Sequence, residues 1–187
     1  MPRLFTGLEI PRHVADSLAM LRGGLPGARW IDPANYHLTL RFIGDIDDSL
    51  ARDIAGLLGR VQRRPFELRL DGLASFGGRK PRALVAAATP IAPLLELQAE
   101  QERLLQRLGL EPEGRKYTPH VTLARLRDSS SYQVADYLTE RAHYRSSAFD
   151  VSRFVLFSSR AAVGGGPYVV EAAYPLAMPA LRMAQSL

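Results

Sequence analysis

Cysteine is absent from the 187 residues. Disulfides, thiolate metal ligands and a cysteine nucleophile are therefore excluded. Lysine is nearly absent: only Lys80 and Lys116 occur, so 22 of the 24 basic residues are arginines. Arginine pairs well with phosphate oxygens, but these are scattered along the chain, and biased composition accounts for them better than selection for an anion. The 24 basic residues against 19 acidic ones leave a net charge of +5, which permits an anionic ligand without demanding one. No apolar run reaches the roughly 18 residues that span a bilayer. The N-terminal stretch, interrupted by Glu9, lacks the apolar core and small-residue cleavage site of a secretory signal. Histidine is scarce, with four in the chain and no His-x-x-x-His pair. The expectation is a soluble, cytoplasmic, monomeric protein, with no membrane partner and no metal or other cofactor.

What is present reads as an ordinary folded domain, 47% apolar and 23% charged. Arg3 to Ile10 reads as a strand, and Pro11 opens a helix that runs toward Gly23-Gly24. Trp30-Ile31 reads as a short extended piece and Tyr36 to Ile43 as a strand. Asp47-Asp48-Ser49 caps a helix to about Val61. Phe66 to Leu73 alternates apolar and polar residues, as a half-buried strand does, and Phe76 to Pro81 reads as a loop. Ala83 to Ala88 is a strand, and a long helix runs from Pro90 or Pro93 through Leu108. Further strands are expected at 120–126, 149–158 and 168–174, with a helix over 129–140, a Gly-rich turn over 163–167 and a frayed tail past Pro179. The order of elements is mixed. It predicts an α+β fold with antiparallel sheets flanked by helices rather than a doubly wound parallel sheet. A rough echo between the halves predicts one domain over 1–187, built of two similar lobes that divide near residues 88–92 and face a shared cleft.

Two of the four histidines begin the same tetrapeptide form, His37-Leu38-Thr39-Leu40 and His120-Val121-Thr122-Leu123. In a chain with only six threonines, that duplication is the strongest signal present. Side chains alternate along a strand, so His37 and Thr39 share one face, about 7 Å apart, while Leu38 and Leu40 anchor the other. The same holds for His120 and Thr122 against Val121 and Leu123. Two such strands lining one cleft would present two imidazoles and two hydroxyl donors. One imidazole can accept a proton while the other donates, which suits in-line displacement at phosphorus. The hydroxyls can donate to the non-bridging oxygens, where charge must be held. A cyclic phosphodiester is an apt substrate because its ring fixes the leaving group. A metal site would need more ligands than the motifs offer, since no carboxylate lies within two residues of either.

The paired motifs resemble the signature of the 2H phosphoesterase superfamily, and within it the RNA 2′,3′-cyclic phosphodiesterases, formerly described as 2′-5′ RNA ligases. The resemblance extends to Arg3-Leu4-Phe5 with Pro11, to Arg29-Trp30, to Asn35 through Gly44, to Pro119 through Arg125, and to Phe154 through Arg160. It implies a bilobal α+β fold with the active site between the lobes. It implies His37 as the proton donor, His120 as the proton acceptor, and Thr39 and Thr122 as phosphate-binding residues. The implied activity is metal-independent hydrolysis of RNA 2′,3′-cyclic phosphate ends to 2′-phosphomonoesters, with 2′-5′ joining as related chemistry. Thr6-Gly7 departs from the family's pattern, which more often has an apolar residue and alanine there.

Arg125 carries over from the resemblance as a substrate-binding residue. Strict alternation would put it on the face opposite His120, so a bulge or strand end must turn it inward. Phe42, Phe76 and Tyr117 flank the motifs and could stack a base, with a core role expected for Phe42. Arg79, Lys80, Arg82, Arg115 and Lys116 are candidate contacts to a nucleic-acid backbone, with a solvated loop the favoured reading, and His13 and His143 are expected in surface or packing positions. Two other readings remain open: an enzyme acting on a small cyclic nucleotide metabolite, and a non-catalytic RNA-binding module.

Overall fold

The two histidine motifs open two strands near the middle of one antiparallel sheet. The computed structural model describes residues 3–159 and 166–177. Its strands are β1 (Arg3–Glu9), β2 (Ala28–Trp30), β3 (His37–Asp45), β4 (Phe66–Leu68), β5 (Leu70–Phe76), β6 (Ala83–Ala88), β7 (His120–Leu126), β8 (Phe149–Val151), β9 (Arg153–Ser159) and β10 (Tyr168–Pro175). The helices are α1 (Arg12–Ala19), α2 (Asp48–Leu58), α3 (Ala92–Arg107) and α4 (Ser131–Glu140). The large sheet has the order β10-β9-β1-β3-β7-β6-β5, with β2 also on β7, while β4 and β8 form a separate ribbon. Among the described residues no helix is long and apolar enough to cross a membrane.

Local chemistry accounts for the helix ends. The Asp47 carboxylate accepts from the Leu50 N–H at 2.8 Å, and Ser130 with Gln133 closes a capping box before α4. Gly109 follows α3 at φ +88, a conformation glycine adopts without strain. One apolar cluster joins both motif strands, through Leu38, Leu40, Val121 and Leu123, to Ile54, Leu94, Leu97 and Leu105 of the helices.

The structure departs from the sequence reading in partner choice. The expected strand over Phe66 to Leu73 is divided, because β4 pairs with β8 while β5 pairs with β6. The strand expected over 149–158 divides at Ser152 for the same reason: β8 faces β4, and β9 joins β1. Phe76 ends β5 rather than opening a loop. β5 and β6 stand on the β7 side, and β9 and β10 stand on the β1 side, so each side draws strands from both halves of the chain. Arg160, most of the expected Gly-rich turn and the tail past Pro179 lie outside the described residues.

Candidate functional site

β3 and β7 meet at one register position among the described residues, Leu38 opposite Val121. Both side chains are fully buried. Because the strands are antiparallel, this pairing sets His37 beside Thr122 and Thr39 beside His120 on the opposite face. The two histidines fall on a diagonal, which in regular pairing separates residues by about 7–8 Å. The polar halves of both motifs are thereby brought to one face of the sheet.

Each imidazole is oriented by a carbonyl two residues before it. His37 Nδ1 lies 2.9 Å from the Asn35 carbonyl oxygen and His120 Nδ1 2.6 Å from that of Thr118. A carbonyl can only accept, so Nδ1 carries the proton in both rings and Nε2 is left to gain or lose one. His37 Nε2 is 3.1 Å from Thr39 Oγ1. Aromatic rings hold both imidazoles. Phe5 and Tyr168 lie 4.9 and 4.8 Å from His37, centroid to centroid, and Phe76 stands edge-on to His120 at 4.8 Å. Burial lowers the pKa of His37. The Asn35 carbonyl opposes that shift, and the charges of His120 and Arg125 add to it. His120 is lowered by burial and Arg125, against the Thr118 carbonyl. Those interactions put His37, His120 and Arg125 within electrostatic reach of one another.

Arg125 reaches the site through a bulge. Along β6 the register passes from Leu84 opposite Ala124 to Val85 opposite Thr122, which leaves Leu123 as the extra residue. That slip reverses the alternation, so Arg125 is exposed on the cleft side. β3 has the same irregularity. β1 pairs Thr6 with Arg41 and Gly7 with Thr39, so Leu40 is extra there. The slip sends Arg41 inward and Phe42 outward, contrary to the core role expected for Phe42.

Thr39, Phe42, Phe76, Arg82, Lys116, Tyr117, His120 and Arg125 share a cleft of about 820 Å³. His37 instead borders a second hollow of about 400 Å³, with Asn35 and Tyr168, that shares no lining residue with the cleft. Thr122 is half-buried on β7 and borders neither. Arg115 also lines the cleft, while Arg79 and Lys80 lie exposed outside it, and His13 and His143 are exposed and line neither cavity. Among the described residues no group of three or more His, Cys, Asp or Glu side chains could hold a metal ion.

Sequence reasoning missed the supports of this cleft. Arg41, only 7% exposed, bonds to the Glu102 carboxylate and to the carbonyls of Phe42 and Glu111. Glu102 also accepts from Gln106 Nε2 at 2.8 Å and from the Glu113 N–H at 3.1 Å. Burial pushes its carboxyl upward, but the hydrogen bonds from Gln106, Arg41 and Glu113 outweigh that and hold it below the usual value. The Tyr117 hydroxyl donates to the Thr39 carbonyl at 3.0 Å, and burial pushes its pKa up. These contacts tie the loop before β7 to the bulge of β3. At the departure Thr6-Gly7, buried Thr6 donates to Gln101 Oε1 at 2.6 Å. A Cβ on Gly7 would come within 2.8 Å of the Leu38 carbonyl oxygen, so β1 lies closer to β3 than alanine allows without a shift.

Residues 10–162 match the family model described as the 2′-5′ RNA ligase superfamily. The chain is 34% identical over 117 residues to the RNA 2′,3′-cyclic phosphodiesterase of Aeropyrum pernix, covering 62% of this chain and 65% of that protein, just under two thirds. It is 30% identical over 130 residues to the protein of the same name from Bacillus subtilis, covering 66% of this chain and 71% of that one. The fold resembles that of E. coli LigT solved with 3′-AMP, with a TM-score of 0.75 at 24% identity over 94% of this chain and 99% of LigT. On the family match across most of its length, the chain belongs to the 2′-5′ RNA ligase superfamily.

Proposed function

We propose that the chain hydrolyses RNA 2′,3′-cyclic phosphate ends to 2′-phosphomonoesters, as a monomeric cytoplasmic enzyme that uses no metal. The observation that carries this reading is the diagonal pair of imidazoles, each with its Nδ1 committed to a carbonyl and its Nε2 available. The names of the Aeropyrum and Bacillus relatives support the substrate class.

His120 Nε2 takes a proton from water as the water oxygen bonds to phosphorus. The P–O3′ bond breaks on the opposite side, and His37 Nε2–H gives its proton to the departing O3′. The product keeps its phosphate on O2′ and has a free 3′-hydroxyl. Proton exchange with solvent then returns both imidazoles to their starting states. Thr39 and Thr122 donate hydroxyl hydrogen bonds to the non-bridging oxygens, and Arg125 holds their charge. The charge that Arg125 and His120 place on His37 in the free site is offset when the anionic substrate arrives, so the donor is charged when it is needed.

The test is an oligonucleotide ending in a 2′,3′-cyclic phosphate, incubated with the protein in EDTA, with the product read by phosphorus NMR. A 2′-phosphomonoester formed at the same rate with and without EDTA is expected. A 3′-phosphomonoester, or loss of turnover in EDTA, would overturn the reading. Tight binding without any product would favour an RNA-binding module, and equal turnover of a cyclic mononucleotide would favour a small metabolite.

A further inference from the structure

Two arginines face each other across β2 and β7. The register sets Arg29 directly opposite Arg125, between the pairs Ala28–Leu126 and Trp30–Ala124. Directly opposed residues point to one face of a sheet, with Cβ atoms about 4.5–5.5 Å apart. Trp30 packs against the core beside Tyr137, and Ala124 is buried. Arg29 and Arg125 therefore share the other face, on the cleft side. Both are exposed, and among the described residues neither makes an ion pair or a hydrogen bond to a carboxylate. Like charges held opposite one another destabilise a strand pair. Elsewhere in the same sheet Arg3 faces Asp45, its opposite charge.

The two arginines are not equivalent. Arg125 lines the cleft, whereas Arg29 lines neither cavity, so Arg29 meets what lies next to the reacting phosphate rather than that phosphate itself. β2 and β3 run along the same edge of β7, because β6 occupies the other, and the Ile31 N–H donates to the Leu123 carbonyl at 2.9 Å. Arg29 thus stands on the His37 flank of β7. In the displacement proposed above His37 protonates the ribose O3′, so the ribose occupies that flank. A strand that ends in a 2′,3′-cyclic phosphate has a single neighbouring phosphodiester, on the 5′ oxygen of that same ribose.

We propose that Arg29 is a specificity residue that binds this 5′-phosphodiester, beside the cyclic phosphate held by Arg125. The two guanidiniums read two successive phosphates at one strand end, and their repulsion is relieved when both places are filled. The inference rests on the hydrolytic reading and adds to it a second phosphate subsite. That subsite separates the end of an RNA strand from a free cyclic nucleotide. It acts on binding rather than on the chemical step, and salt weakens it because Arg29 is exposed.

The test compares cytidine 2′,3′-cyclic phosphate bearing a 5′-hydroxyl with the same compound bearing a 5′-methyl phosphodiester. Both are given to the unmodified protein, Arg29→Gln and Arg29→Lys, and the readout is the ratio of kcat/KM between the two compounds within each protein. Glutamine stays polar at an exposed position and removes one of two facing like charges, so the variant is expected to fold. The unmodified protein should favour the phosphodiester about tenfold at low salt, mainly through KM. Arg29→Gln should bring the ratio to about one, and Arg29→Lys should keep part of it. No preference in the unmodified protein would overturn the proposal. So would a ratio that survives in Arg29→Gln, including one preserved while both compounds lose rate together. Should the unmodified protein turn over neither compound, the hydrolytic reading fails, and Arg29 is then judged by calorimetric binding of cytidine 2′-phosphate with and without the 5′-methyl phosphodiester. A preference for the phosphodiester that is lost in Arg29→Gln supports the subsite there as well, and its absence overturns it.

Discussion

His37 and His120 fall on one diagonal, and Thr39 and Thr122 on the other, of the four positions around the Leu38–Val121 pair, because each histidine immediately precedes one member of that pair. On the proposed mechanism this acid and base act on one phosphorus as a unit. Replacing either histidine by alanine is expected to lower kcat for a cyclic-phosphate substrate by about 10²- to 10⁴-fold. The double variant should lose little more than the worse single one, because the groups share one step. Single-turnover kinetics measures the losses, and thermal unfolding of the same variants separates them from misfolding.

The lowered pKa values set the sign of the pH dependence. On the proposed mechanism His120 must be neutral in the free protein, so kcat/KM falls as pH drops below its pKa. His37 must be charged, so kcat/KM falls as pH rises above its own. Both lie below the ordinary 6.5, and the bell should peak on the acid side of that value. Arg125 contributes to lowering both. Arg125→Gln should therefore move both limbs to higher pH while weakening turnover, as a pH series of kcat/KM would show. Unmoved limbs would place the guanidinium outside the site.

Thr39 and Thr122 stand in equivalent places but have different neighbours. The loss of one donor to a charged transition-state oxygen costs about 10²- to 10³-fold in kcat, which is expected for Thr122→Val. Thr39→Val also removes the partner at 3.1 Å from His37 Nε2, so its loss should be the larger. The ratio of the two kcat values checks this.

The Arg41–Glu102 pair is a support of the cleft wall. Glu102→Ala leaves the Arg41 guanidinium buried without its counter-charge and should destabilise the fold by about 3 kcal/mol, measured by urea unfolding. It should also raise KM more than it lowers kcat, because the loop over 111–117 loses its tie to α3 while the imidazoles keep their carbonyls.

Much of this site was legible in the sequence because period-two alternation and a duplicated tetrapeptide are local patterns. His37, Thr39, His120 and Thr122 needed only a strand and a direction. Arg125 and Phe42 needed something local patterning does not carry, the extra residue at Leu123 and at Leu40. Alternation assigned both to the wrong face, and only for Arg125 did the resemblance supply a reason to expect a bulge. The strand breaks at Arg69 and Ser152 were hidden for a related reason. The alternation of buried and exposed residues continues through Phe66, Leu68 and Leu70 while the partner strand changes. The Arg41–Glu102 pair joins residues far apart in the chain, and neither has a sequence context that marks it.

The central claim, two imidazoles around one phosphorus, is tested most directly by NMR titration of the histidine rings with and without inorganic phosphate. Bound phosphate should raise the pKa of His37 and of His120 together, with one dissociation constant for both. A shift at only one of the two motif histidines, or separate dissociation constants for each, would contradict it.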